Sequence, residues 1–224
     1  MSSRDAIFTR IRRSLDVDGS DIQRRAVVSD RLQRPERGII PTRGQLDQGP
    51  RVDLFRTMAE KVSATVTRVE GAAEIPAAVA EYLRAKNLPQ AIRHGADPLL
   101  SGLDWASQPQ MTVTAGPSDG GDLAGLSHAF AAVAESGTLV LTSGCDNPTT
   151  LNFLPEYHVV VVEASDIAGD YETVWERVRA VYGKGTMPRT VNLVTGPSRS
   201  GDIEQTLLLG AHGPRSLHIV IVGG

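Results

Sequence analysis

Cysteine is almost missing from this chain: Cys145 is the only one in 224 residues. One thiol excludes an internal disulfide framework and any all-cysteine metal or iron–sulfur site held by this chain alone. No apolar run approaches the ~20 residues a bilayer span requires. The opening MSSRDAIFTRIRRSL has no apolar core of the kind a secretory signal carries, so the cytoplasm is the expected compartment. No two histidines stand at metal-ligand spacing such as HxxxH, and no metal site is expected. No GxGxxG follows a strand, and no GxSxG nucleophile elbow is present.

Charge of one sign is also missing, segment by segment. Residues 94–176 hold 12 acids and no Lys or Arg. Residues 1–51 hold 11 Arg, no Lys and 7 acids, a net of +4. The whole chain carries 23 basic and 26 acidic residues, a net of −3, which argues against general nucleic-acid binding. An Arg-rich arm and an acidic body attract at contact range, although salt screens the attraction beyond ~10 Å.

The hydrophobic pattern divides the chain into an arm, 1–51, and an α/β body, 52–224. In the arm, Ile7, Phe8, Ile11 and Leu15 fall on one side of a helix over 3–15, capped by Ser2 or Ser3. Residues 20–51 show no sustained period and read as a long connector wrapping the body, a second copy or a partner. Burial of Ile7, Ile11 and Leu15 is expected to hold the helix in place. In the body, helices are predicted around 54–62, 75–83 and 171–181. Strands are predicted at 64–69, 90–93, 111–115, 138–142, 157–163, 190–195 and 217–222. Residues 128–142 read as two strands joined near Glu135–Gly137. The VVVV within 157–163 is the continuous run of a strand covered on both faces, and 190–195 and 217–222 read as two more buried strands. The alternation implies a three-layer α/β/α sandwich with a mostly parallel central sheet.

Chemistry is expected where a strand gives way to a loop. The strand 191–195 runs into Gly196-Pro197-Ser198-Arg199-Ser200-Gly201-Asp202-Ile203-Glu204, with a helix start conceivable at Asp202. Glycines, two hydroxyls, a guanidinium and free N–H groups suit a phosphate or a carboxylate. Asp202 and Ile203 stand where a nucleotide-triphosphate loop needs Lys and Ser or Thr, which excludes an ordinary P-loop. The alternative is a tight turn with a capping side chain. His212, between glycines and Pro214, has the setting of a loop acid or base, or of a histidine bonding its own turn. Glu135-Ser136-Gly137-Thr138 is either a polar orienting group or a self-satisfied hairpin turn. His94, His128, His158 and His218 lie in or beside strands, where structural roles are the expectation. Cys145 has no cationic sequence neighbour to activate it.

Four segments together resemble the lactate utilization protein C family of small LUD-domain proteins: AESGTLVL (134–141), TLNFLP (150–155), TGPSRSGDIE (195–204) and GAHGP (210–214). The first helix, RDAIFTRIR, extends the resemblance to the start of the chain. Ser136 and Ser200 replace the Thr of the family pattern, and Thr149 and Thr150 stand where an Arg is common. The resemblance implies a fold similar to the NagB/RpiA/CoA-transferase group. It implies a role as the cluster-free, non-redox member of a system oxidising L-lactate to pyruvate, with iron–sulfur clusters only in partner proteins. The expected ligand is a small carboxylate or phosphate, and a homo-oligomer is one arrangement left open. The alternatives are a stand-alone enzyme on a sugar phosphate, acyl-CoA or folate-like acid, or a lactate-responsive regulator. The site expected is Glu135 and His212 as proton-transfer groups, at one carboxyl edge of the sheet. Thr138, Gly196, Ser198, Arg199, Ser200, Gly201, Asp202, Glu204 and Gly213 would bind the anion.

Overall fold

The computed structural model describes residues 2–201 and 207–224. Helix α1 spans Ser3–Ser14. It opens on a capping box in which the Ser2 hydroxyl accepts from Asp5 N–H at 3.2 Å and the Asp5 carboxylate accepts from Ser2 N–H at 3.1 Å. Helix α2 spans Ile22–Gln33 and lies inside the segment expected to be an unstructured connector. Asp21 caps it by accepting from Arg24 N–H at 2.9 Å. The Pro and Gly residues that signalled a connector begin only at Pro35, beyond the helix end. Neither helix buries a residue. Ile7, Ile11 and Leu15 are 59%, 46% and 60% exposed, so the expected burial of this stripe does not occur within the chain. The connector itself does lie on the acidic body. Arg37 Nε donates to Glu176 at 2.8 Å, Gly38 N–H to Glu172 at 3.0 Å, and Gln45 Nε2 to Asp170 at 2.8 Å.

The body follows the predicted alternation. Helix α3 (Gln48–Lys61) leads to β1 (Thr65–Val69), α4 (Ile75–Ala85), β2 (Ala91–His94), α5 (Pro98–Ser101) and β3 (Thr112–Ala115). Strands β4 (Ala124–His128), β5 (Ala131–Val133) and β6 (Thr138–Thr142) come next, then α6 (Thr149–Phe153) and β7 (Tyr157–Glu163). The chain continues with β8 (Ile167–Ala168), α7 (Tyr171–Tyr182), β9 (Val191–Val194), β10 (Arg199–Gly201), β11 (Leu207–Leu209) and β12 (Ser216–Val222). Six strands form an all-parallel central sheet in the order β1-β12-β7-β4-β2-β3. This is the mixed α/β architecture that the alternation implies.

Strands β7 and β12 explain why their sequences are apolar throughout. Val160 and Val162, with Leu217, Ile219 and Ile221, pack on one face against Phe55 and Ala59 of α3. Val159, Val161, Val220 and Val222 pack on the other against Ile75, Val79 and Leu83 of α4. Alternate residues therefore enter different cores, and neither face tolerates a charge.

A second sheet, ordered β8-β5-β6-β9, was not foreseen. Its β5–β6 hairpin turns at residues 134–137, close to the expected joint, and Leu139 and Leu141 of β6 share the core with α3. Helix α7 covers its other face through Val174. Strand β9 was expected to be buried. It is an edge of this small sheet and is only partly covered, with Leu193 45% exposed. Among the described residues no helix is long and apolar enough to cross a membrane.

Candidate functional site

Strand β9 ends at Val194, and the following turn is shaped by Gly196. Its φ of +72° is one that L side chains rarely adopt, and a Cβ there would stand 2.3 Å from the Val62 carbonyl oxygen. Glycine is thus required by packing against the end of α3, independently of any ligand. Past the turn, Ser198 ties two loops together. Its N–H donates to Pro214 O at 2.8 Å, its carbonyl accepts from Gly210 N–H at 3.0 Å, and its hydroxyl accepts from His212 N–H at 3.2 Å. The Ser198 N–H, expected to be free for an anion, is therefore already used. Arg199, Ser200 and Gly201 form β10 and pair with Leu209, Leu208 and Leu207 of β11, so they are ribbon rather than open loop. Asp202 and Glu204 lie outside the described residues, as does the suggested helix start.

These loops enclose a cavity of about 260 Å³ lined by Thr195, Gly196, Ser198, Arg199, His212 and Gly213 from the expected set. It is also lined by Asn152 of α6, His158 of β7 and Leu217 of β12. His158 and Leu217 are each the second residue of their strand, so the cavity lies at the amino ends of β7 and β12. The expected position was the carboxyl edge. The loop bearing His212 leads into β12 rather than out of it, and this reverses the placement. The cavity gathers one arginine and two histidines, and no carboxylate lines it among the described residues.

Glu135 is not among the residues lining this cavity. It is buried in the β5–β6 turn, and its Oε2 has no protein partner among the described residues. Thr138 links that turn to the cavity wall. Its hydroxyl is 2.7 Å from Ser136 Oγ, 2.8 Å from Tyr171 OH and 2.7 Å from the hydroxyl of Thr195. The expected binding role of Thr138 thus becomes one of holding Thr195.

The sequence reading missed the buried floor of the cavity. Ser127 Oγ donates to Asn152 Oδ1 at 3.0 Å and lies 2.9 Å from His158 Nε2. A hydroxyl whose proton goes to Asn152 accepts from the histidine, so His158 carries its proton on Nε2 and a bare lone pair on Nδ1. Burial drives the His158 pKa down to about 3, which keeps the ring neutral at physiological pH. Asn152 Nδ2 and His158 Nδ1 are buried and have no protein partner among the described residues. Both residues line the cavity, and each keeps one buried polar atom that no protein group among the described residues meets. Asn152 was within view in TLNFLP; a lone histidine beside four valines gives no sequence signal that separates a site from a core.

The family model described as the LUD domain matches residues 123–222. Residues 123–222 are therefore similar to a LUD domain. Every residue lining the cavity falls within that segment. The LUD segment is 31% identical over 98 residues to lactate utilization protein C of Shouchella clausii, covering 44% of this chain and 43% of that protein. It is 34% identical over 99 residues to lactate utilization protein C of Bacillus subtilis, covering 44% of this chain and 41% of that one. The likeness to these relatives spans less than half of their length. A longer match, 29% over 191 residues, joins 79% of this chain to 82% of the protein YkgG of Escherichia coli. The fold is similar to that of a DUF162 family protein from Deinococcus radiodurans, with a TM-score of 0.56 and 25% identity over 80% of this chain and 99% of that one.

Proposed function

We propose that this chain serves lactate utilization by binding a small 2-hydroxy carboxylate in the cavity beside Arg199, as a cluster-free component working with iron–sulfur proteins that carry the electrons. The likeness of the LUD segment to proteins named lactate utilization protein C supports the pathway. The single cysteine supports the division of labour, because four thiolates are needed for an ordinary cluster.

The observation that carries the ligand class is the wall chemistry. Arg199 provides a guanidinium, Asn152 Nδ2 an unspent buried donor, and no carboxylate opposes an anion there among the described residues. His158 Nδ1 supplies an acceptor for a hydroxyl. Carboxylate and hydroxyl together are what a 2-hydroxy acid presents. His212, at the cavity mouth, is a further contact for the carboxylate.

Calorimetric titration of the purified chain with L-lactate tests this reading. Arg199→Ala is expected to weaken binding by about 1.5–3 kcal/mol, the range for a hydrogen bond to a charged group. Equal affinity in the variant removes the cavity from consideration. Lactate-dependent dye reduction in lysate, with and without this chain, tests the pathway separately. An unchanged rate would remove it from lactate oxidation.

A further inference from the structure

A second cavity lies at the opposite end of the central sheet, and its chemistry is the reverse of the first. It encloses about 330 Å³, at the low end of the range for small-molecule sites. It sits at the carboxyl end of β4, where open parallel sheets place their ligands, and beside the end of β6 of the second sheet. Asp97, Asp146 and Asp166 line it, and among the described residues no Lys or Arg does. This is the acidic stretch 94–176 folded into a concave surface. Arg177 reaches Asp166 at 3.5 Å from outside the lining, so Asp97 and Asp146 set the character of the cavity.

Two buried polar atoms of the lining residues are unspent. His128 Nδ1 lies 3.0 Å from Asp97 Oδ2, while Asp97 Oδ1 accepts from Leu100 N–H at 3.1 Å. A carboxylate only accepts, so the proton sits on Nδ1 and His128 turns Nε2 elsewhere. That Nε2 is buried without a protein partner among the described residues. Asn147, 6% exposed, donates through Nδ2 to Thr142 O at 3.4 Å, and its Oδ1 is likewise buried without a protein partner. Such groups cost free energy when buried unmet.

We propose that this cavity is a second ligand site, separate from the Arg199 cavity, and that it takes a neutral polyhydroxylated molecule. The carboxylates repel lactate, phosphate and other anions. An ammonium satisfies Asn147 Oδ1 but meets His128 Nε2 only when the ring is uncharged. A hydroxyl donates and accepts, so it satisfies Asn147 Oδ1 and His128 Nε2 in either charge state, and further hydroxyls donate to Asp97 and Asp146. Asp97 fixes the ring so that Nε2 is the nitrogen the ligand meets.

The test is saturation-transfer NMR on the full chain with D-ribose, D-glucose, myo-inositol and sorbitol, beside L-lactate and inorganic phosphate. At least one polyol is expected to bind and to move the His128 imidazole proton resonances. Asn147→Leu is expected to weaken that binding at least fivefold while L-lactate binding is unchanged. If Asn147→Leu fails to fold, the His128 resonances of the unaltered protein decide alone. Binding by none of the four polyols overturns the proposal, and so does binding that leaves His128 unmoved. Movement of His128 by lactate or phosphate instead of a polyol overturns it as well.

Discussion

Gly44 of the arm and Gly169 of the body meet backbone to backbone, with no space for a side chain on either. A Cβ on Gly44 would stand 2.1 Å from Gly169 O, and a Cβ on Gly169 would stand 2.2 Å from Gly44 O. The contact sits beside the Gln45–Asp170 hydrogen bond, and Asp170 caps α7 by accepting from Thr173 N–H at 2.8 Å. Arm, small sheet and α7 are thus joined at one point. Gly169→Ala is expected to cost about 1–3 kcal/mol, as overpacking does, and to lower the melting temperature by several degrees. Gly49→Ala, with nothing within 4 Å of its Cβ, is the control and should leave it unchanged or slightly raised. Equal melting temperatures for both variants would show that the arm yields without cost.

Acid should destabilise this protein well before its carboxylates titrate. Burial lowers the His158 pKa to about 3. Burial, aided by the positive charge of Lys86, lowers that of His218 to about 4. Unfolded, each histidine takes up its proton near 6.5; folded, each resists it until the lower value. The unfolded state therefore binds more protons between those limits, and stability falls as pH drops from about 6.5 toward 4. Each histidine contributes a slope approaching 1.4 kcal/mol per pH unit. Asp97 and His128 behave differently. Burial opposes charge on both, but their mutual hydrogen bond prevails, lowering the pKa of Asp97 and raising that of His128. His128 adds stability below about 6.5 that is lost as pH rises through its raised value, a smaller opposing trend. Urea unfolding at pH 7, 6 and 5 measures the net slope, and His158→Asn should flatten it. A pH-independent midpoint over this range would contradict the burial argument.

The central sheet was legible because both of its signals are local. YHVVVVE and SLHIVIV declare strands by composition, and the α3 and α4 stripes declare helices by spacing. The second sheet was not, because β6 pairs with β9 some fifty residues away and nothing in VNLV distinguishes a half-exposed edge from a buried strand. Helix α2 escaped because Ala26, Val27, Val28 and Leu32 make no clean stripe. At the site, Arg199 and His212 were found from glycine-rich punctuation and do share a cavity. Asn152 and His158 were not, since an unspent buried atom is a property of packing and leaves no trace in spacing. The expectation of one site containing Glu135 rested on junction positions alone, which say nothing about which end of a strand a loop serves.

The arm separates two kinds of attachment that one experiment can tell apart. Helices α1 and α2 bury no residue, so they contribute little hydrophobic stabilisation to the body, and Lys184 Nζ donating to Gln33 O at 3.0 Å is a single exposed polar link there. Residues 37–45 do contribute, through Arg37–Glu176, Gly38–Glu172, Gln45–Asp170 and the Gly44–Gly169 contact. Exposed ion pairs are worth only ~0–1 kcal/mol each, so the glycine contact and the partly buried Gln45 bond should dominate. Removal of residues 1–34 is expected to leave the melting temperature within about 2 °C of the full chain. At ~2–4 °C per kcal/mol, that is less than one ordinary interaction. Removal of 1–46 should lower it clearly and should mimic Gly169→Ala. Because Ile7, Ile11 and Leu15 stay exposed on one helix, the measurement must be repeated across a tenfold range of protein concentration. A loss on deleting 1–34 that grows with concentration would mean that α1 is buried against a second copy, and that its apolar stripe is an interface rather than a solvated face.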